Sequence, residues 1–230
     1  MVSQDHGPDQ ESEITMRLQV ISIGIALLAG LAAAQAPKPS DIHLRGDRFK
    51  PLTYDKMTPE QKTMLEHLLA GERGGANGPF NVTLRDPEMG DQAQKLGAQL
   101  RFHTSLPNRL NEFAILMTAR FWNSQYEWAA HHRAALKVGL NPAVIDAVAA
   151  GKRPSAMQPD EEVVYNFGHE LLTTKQVSDA AFKAVVEKFG ERGAVDLTGV
   201  MGYYCFVSMM LNIDRYPLPD GDKPELKPLP

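Results

Sequence analysis

The chain has 230 residues, of which 43% are apolar, 23% charged and 7% aromatic, the profile of an ordinary globular protein and not of a disordered or collagen-like one. Its 24 Lys and Arg against 28 Asp and Glu give a formal net charge of -4, so there is no field to hold a phosphate backbone and nucleic acid is excluded as a partner. With one cysteine, Cys205, the chain can form neither an internal disulfide nor a Cys-x-x-Cys redox pair nor a cysteine-rich zinc site.

In chain order, the first feature is Leu18 to Pro37, twenty residues without a charge, following Met16-Arg17. The short apolar core and the small residues Ala32, Ala34 and Ala36 read as a secretory signal peptide with a cut after Ala34; an uncleaved membrane anchor is the alternative. The acidic stretch before it carries the wrong charge for the front of such a peptide, which places the true start at Met16. Residues 1–36 are therefore expected to be a leader, the only contact with a membrane, and the remainder is expected to be secreted or periplasmic.

Residues 37–56 form a polar arm and residues 217–230 a tail with five prolines in fourteen residues, both expected to be extended and outside the core. Between them, over 57–216, the punctuation is helical. Thr58-Pro59 caps a helix that Gly71 closes, Asn141-Pro142 and Gly151 bracket a second, and Ser178 and Gly190 a third. Apolar spacing predicts further helices over Pro87 to His103, Pro107 to Asn123, Gln125 to Val138, Pro159 to Leu172 and Ala194 to Asp214. No run alternates as a strand does, so the fold class is all-α, a multi-helix bundle, with Gly71 to Arg85 read as loop. The stretch Ala194 to Asp214 is apolar nearly all round, which suits a core helix or a subunit interface. Cys205 within it reads as an inert thiol.

The segment from Arg101 to Leu140 carries the chemistry. Glu127 and His131 are four apart and share a helix face, and Glu112 sits on the preceding helix, which the break at Asn123-Ser124 folds back alongside. A carboxylate that orients an imidazole, with a second carboxylate opposite, is equipment for moving a proton on and off carbon or oxygen. An exposed Glu–His pair is the bland alternative, and a divalent metal held by the same three residues is another, although the Glu-x-x-His spacing of di-iron bundles is lacking. His132 points about a third of a turn away from His131. His67, His103 and His169 have no partners at telling spacing. Tyr126 and Trp128 flank Glu127, either as packing residues or as pocket wall.

This segment resembles the carboxymuconolactone decarboxylase and alkylhydroperoxidase D superfamily. The peroxidase branch has a glutamate, eleven intervening residues and then Cys-x-x-Cys-x-x-x-His, and that frame falls here on Glu112 and on Ser124 to His131. Glutamate and histidine are kept, while Ser124 and Glu127 stand where the two thiols would be, as in the cysteine-free, decarboxylase-like branch. Asn141 to Ile145, VVYNFGHELL and VSDAAFKAVVEKFGERGAVDLTGVMGYY are similar to the later family helices. The resemblance implies an alkylhydroperoxidase D-like bundle that assembles as a dimer, trimer or hexamer with its site near a subunit interface, and it needs neither cofactor nor metal. It implies catalytic roles for Glu112, Glu127 and His131 in decarboxylating or isomerising a small carboxylated or lactone-like molecule. Substrate contacts are expected from Ser124, Tyr126 and Arg101, with Arg109, Arg120 and Arg133 as further candidates for holding a carboxylate. Thiol peroxidase activity lacks its nucleophile on this reading, and a non-catalytic oligomeric scaffold is the remaining alternative.

Overall fold

The computed structural model describes residue 1 and residues 37–228, so the expected leader lies outside the described residues. Among the described residues there are helices and turns but no strand. Eight α-helices follow one another among the described residues: α1 (Pro59–Ala70), α2 (Phe80–Thr83), α3 (Pro87–Phe102), α4 (Asn108–Phe121), α5 (Gln125–Lys137), α6 (Pro142–Ala149), α7 (Pro159–Thr174) and α8 (Asp179–Asp214).

The starts are set by local chemistry. Thr58 and Gln61 cap α1 reciprocally, side chain to backbone in both directions. Asp86, Asn141 and Ser178 each accept a backbone N–H from the first turn of α3, α6 and α8. α4 is buried on nearly every side and packs against α5, α7 and α8, which makes it the centre of the larger core. α1, α2 and the first arm form a smaller core around Leu65, Leu68, Phe80 and Leu84.

Two details differ from the sequence reading, the segment Phe80–Thr83 and the course of the arms. Phe80–Thr83 is a helical turn and not loop: Phe80 and Val82 are buried there, and Asn81 holds the arm through its contacts with the Phe49 carbonyl at 2.7 Å and the Leu52 amide at 3.3 Å. A four-residue element is too short to show a period. Gly190 ends the helical segment that Ser178 opens, with φ of 72° and ψ of 173°, a conformation open to glycine; a second segment follows at once, so α8 is two helices joined across a kink. The two proline-containing arms are largely extended, with 3-10 turns at Pro39–Asp41 and Tyr54–Lys56 in the first, but they enter the core. Leu44 and Leu226 are both buried, Asp214 Oδ1 accepts the amides of Asp47 and Phe49, and Gln125 bonds both backbone groups of Leu226. Each arm satisfies its backbone through side chains of helix ends, which composition does not reveal.

Candidate active site

α4 and α5 make an antiparallel hairpin whose turn at Trp122–Ser124 uses a left-handed Asn123, φ 48°. The hairpin brings Glu112 and His131 face to face, with Nδ1 at 2.6 Å from the Glu112 Oε2. One turn back along α5, Glu127 Oε1 lies 3.0 Å from the other ring nitrogen, Nε2. His131 and Glu127 are buried, and the Tyr204 ring meets the imidazole edge to face at 5.0 Å between centroids.

Burial alone would depress the imidazole, but the Glu127 charge and the Glu112 and Glu127 hydrogen bonds outweigh it, and the His131 pKa is pushed up to about 9. The ring is thus held toward its imidazolium form, with Nδ1 donating to Glu112 and Nε2 ion-paired with Glu127. Both nitrogens are engaged by carboxylates, and among the described residues no group of three or more His, Cys, Asp or Glu side chains is arranged so that it could hold a metal ion.

Glu127 and His131 open onto a cavity of about 270 Å³. Its other walls are the Gly-rich loop after α1, the end of α3 and the middle of α8, which contribute Arg73, Arg101, Tyr203 and Tyr204. Arg73 stacks over the Phe80 ring at 5.4 Å and buries its Nε and Nη2 without a hydrogen-bond partner; the Tyr204 hydroxyl is likewise buried and unpartnered. Gly97 on α3 has no Cβ that would overlap the Tyr203 hydroxyl and the Arg73 guanidinium, so its smallness makes room for both. Burial first, and then the Glu127 charge, raise the Tyr204 phenol far above its ordinary value, so it stays a neutral donor. Burial and the neighbouring Tyr216 push Tyr126, another wall residue, up to about 12.

The residues named from sequence fall into two groups. Glu112, Glu127 and His131 meet, and Arg101 and Tyr126 line the cavity. Ser124 does not line it: it is buried at the start of α5 with its hydroxyl unpartnered and faces a separate depression with Asn212 and Tyr216. Arg109 is held by Asp160 and Glu161, Arg120 by Asn123 and the Lys227 carbonyl, and Arg133 by Asp222, so none of these three lines the cavity. His132 is outside the cluster, bonded to Glu225 at 2.5 Å, and Trp128 donates to the same carboxylate. His67 pairs with Asp91, His103 with Glu72, and His169 stacks on Tyr165, all away from the cavity.

Arg73, Tyr203 and Tyr204 are the wall residues that sequence reasoning missed. A pair of phenols inside an otherwise apolar helix is a signal, because a buried hydroxyl needs a partner. Arg73 gives only the hint of a cation beside a run of glycines.

No protein-family model matches the sequence, and no curated protein matches it. Among solved structures, the chain is similar to a protein of unknown function from Agrobacterium tumefaciens, described as a candidate antioxidant defence protein AhpD. The two superpose with a TM-score of 0.54 at 15% identity, over 60% of this chain and 96% of that one. A likeness at that identity speaks to architecture, and it agrees with the helical hairpin that carries Glu112, Glu127 and His131. The chain has the alkylhydroperoxidase D-like fold.

Proposed function

We propose that the cavity is the active site of an enzyme that performs acid/base chemistry, decarboxylation or isomerisation, on a small carboxylated or lactone-like organic molecule. The observation that carries this reading is that a buried, doubly engaged imidazolium shares its cavity with two arginines, one of them with unpartnered buried N–H groups. A scaffold would fill such a space or satisfy those groups.

The chemistry follows from the geometry. Arg73, Arg101 and the Tyr204 hydroxyl bind anionic or carbonyl oxygens. In a decarboxylation the bond to the departing carboxylate breaks, its electron pair stays on carbon as a delocalised enolate, and carbon dioxide leaves. The proton held between His131 and Glu127 then passes to carbon, and water returns one to the pair. In an isomerisation Glu127 removes a proton from one carbon and His131, steadied by Glu112, returns it at another.

Thiol-dependent peroxide reduction is disfavoured, because Ser124 and Glu127 occupy the positions of the two thiols and Cys205 is a half-buried thiol, raised by burial, that does not line the cavity. Export of the protein is part of the proposal and rests on the leader sequence; N-terminal sequencing of the exported product tests it, with Gln35 expected as the first residue.

The test of activity is a screen of lactones and unsaturated carboxylic acids with the wild type, Glu127→Gln, His131→Ala and Cys205→Ser. Activity should fall roughly a hundredfold to ten-thousandfold in the first two variants and stay unchanged in the third. Full activity in both Glu127→Gln and His131→Ala, or peroxide turnover that depends on Cys205, would refute the assignment.

A further inference from the structure

Arg120, in the last turn of α4, is a buried cation without a counter-ion among the described residues. It is 5% exposed, and burial lowers its pKa with no neighbouring carboxylate to offset the effect. Its hydrogen bonds run from Nη1 to Asn123 Oδ1 at 3.0 Å and to the Lys227 carbonyl at 2.9 Å, both neutral acceptors, and its Nε is buried with no partner. Arg109, near the other end of the same helix, is the contrast: it too is desolvated, but Asp160 and Glu161 hold it and more than compensate. Buried charges are normally paired in this second way, because desolvating one alone is costly.

Arg120 forms part of the wall of a pocket of about 160 Å³, set between the C-terminal ends of α4 and α6 and the second half of α7. Met117, Val148 and Leu172 supply its apolar lining, and His169 lies flat against Tyr165 at 5.4 Å between centroids to make an aromatic side. Lys152, exposed, stands on the polar side, and the Lys175 ammonium sits 4.8 Å over the ring of Phe121, another wall residue. Among the described residues no Asp or Glu lines this space. A cationic end thus meets an apolar body, whereas the cavity at His131 has a carboxylate in its own wall. A cavity of about 150 Å³ with apolar walls holds one benzene ring, so the volume suits an anion whose apolar part is of that size.

We propose that this pocket is a second binding site, for a small monocarboxylate with an apolar or aromatic body, its carboxylate gripped by Arg120 and its body packed among Met117, Val148 and Leu172. With Nη1 spent, the Nε edge of the guanidinium remains for a side-on, two-point grip, and Lys152 adds attraction from the polar side. Charge and shape select this occupant together. A neutral ligand would leave the buried cation unpaired, and an inorganic anion would leave the apolar lining unfilled. Arg120 and Glu112 stand eight residues apart on α4, about 12 Å, and the pocket shares no lining residue with the cavity at His131. The proposal is independent of what that cavity catalyses.

Titration of the full chain with sodium benzoate at low ionic strength, followed by NMR of carbon-13-labelled methionine methyl groups, tests it. Met117 lines this pocket and no methionine lines the cavity at His131, so its methyl reports on this site alone, and Met117→Leu assigns the signal. The methyl is expected to shift and saturate with a Kd on the order of 1 mM. Benzamide, the same shape without the charge, should bind at least about tenfold more weakly. Lys152→Glu, at an exposed position, should weaken benzoate by about tenfold, and Arg120→Gln by at least as much. Should the glutamine variant loosen the tail, as circular dichroism and unfolding would reveal, Lys152→Glu and benzamide still decide. Glu127→Gln should leave the Met117 response as it is, which separates this site from the proposed active site. A Met117 methyl unmoved at about ten times the expected Kd, benzamide binding as tightly as benzoate, or wild-type affinity in Lys152→Glu would each overturn the proposal.

Discussion

Replacing Glu112 with glutamine weighs the buried charge cluster directly. His131 is almost fully buried and yet stands at a pKa of about 9 against an ordinary 6.5, although burial pulls the other way. The two carboxylates therefore supply the whole displacement and cancel the burial penalty too, and the net rise corresponds to roughly 3 kcal/mol of preference for the imidazolium in the folded state. Glutamine keeps an oxygen to accept from Nδ1 but removes one of the two charges, so the His131 pKa should fall toward its ordinary value. The pH dependence has a definite sign. A pKa raised on folding contributes stability that is complete below the unfolded value of 6.5 and is lost as pH rises through about 9. The stability gap between wild type and Glu112→Gln should thus be widest near pH 6.5 and close above about pH 9. Urea unfolding across that window measures the gap, and NMR titration of the His131 ring protons measures the pKa. A gap independent of pH, or a wild-type His131 that titrates near 6.5, would refute the reasoning.

Arg73→Ala should weaken binding of a simple carboxylate in the cavity by roughly tenfold to a hundredfold, the loss of one charge-assisted contact, as read by calorimetry. Gly97→Ala gains helix propensity of about 1 kcal/mol but forces the Tyr203 hydroxyl and the Arg73 guanidinium aside, so thermal unfolding should show net destabilisation, with overpacking costing about 1–3 kcal/mol. Leu226→Ala should cost about 2–4 kcal/mol in urea unfolding, because the side chain is buried in the main core although it lies in the proline-containing tail.

The parts legible in the sequence are those fixed by local chemistry. Thr58, Asn141 and Ser178 announce helix starts because a side-chain oxygen must meet orphan amides within a few residues. Glu127 and His131 share a face because helical geometry leaves them no choice, and Glu112 joins them because a three-residue turn can only fold the hairpin back. Gly71 to Pro79 reads as loop from its glycines, but nothing local says that Arg73 would point across to α3 and α8. The tail is similar: five prolines forbid a helix, yet its course is set by Gln125, Trp128 and His132, about a hundred residues earlier, through bonds to Leu226 and Glu225. Ser124 shows the reverse error. Its place in the motif suggested the cavity, while the residue faces a separate depression with Asn212 and Tyr216, a difference set by side-chain direction at the residue before α5.

For the decarboxylation proposed above, the charge arrangement also constrains how a substrate sits. An arginine that grips the departing carboxylate would stabilise the ground state, since that group loses its charge as carbon dioxide forms, and binding of this kind slows the chemical step. The arginines are better matched to oxygens that gain charge as the enolate develops, together with the neutral Tyr204 donor. The departing carboxylate then lies toward Glu127, where like charge raises the ground state, and the carbon that receives the proton lies beside His131. Arg101→Ala distinguishes the two poses. With the arginine on developing charge, kcat falls and KM moves little; with the arginine on the departing carboxylate, KM rises and kcat holds or increases. Steady-state kinetics on whichever substrate the screen yields should show the first pattern, and the second would reverse the orientation derived from the cavity walls.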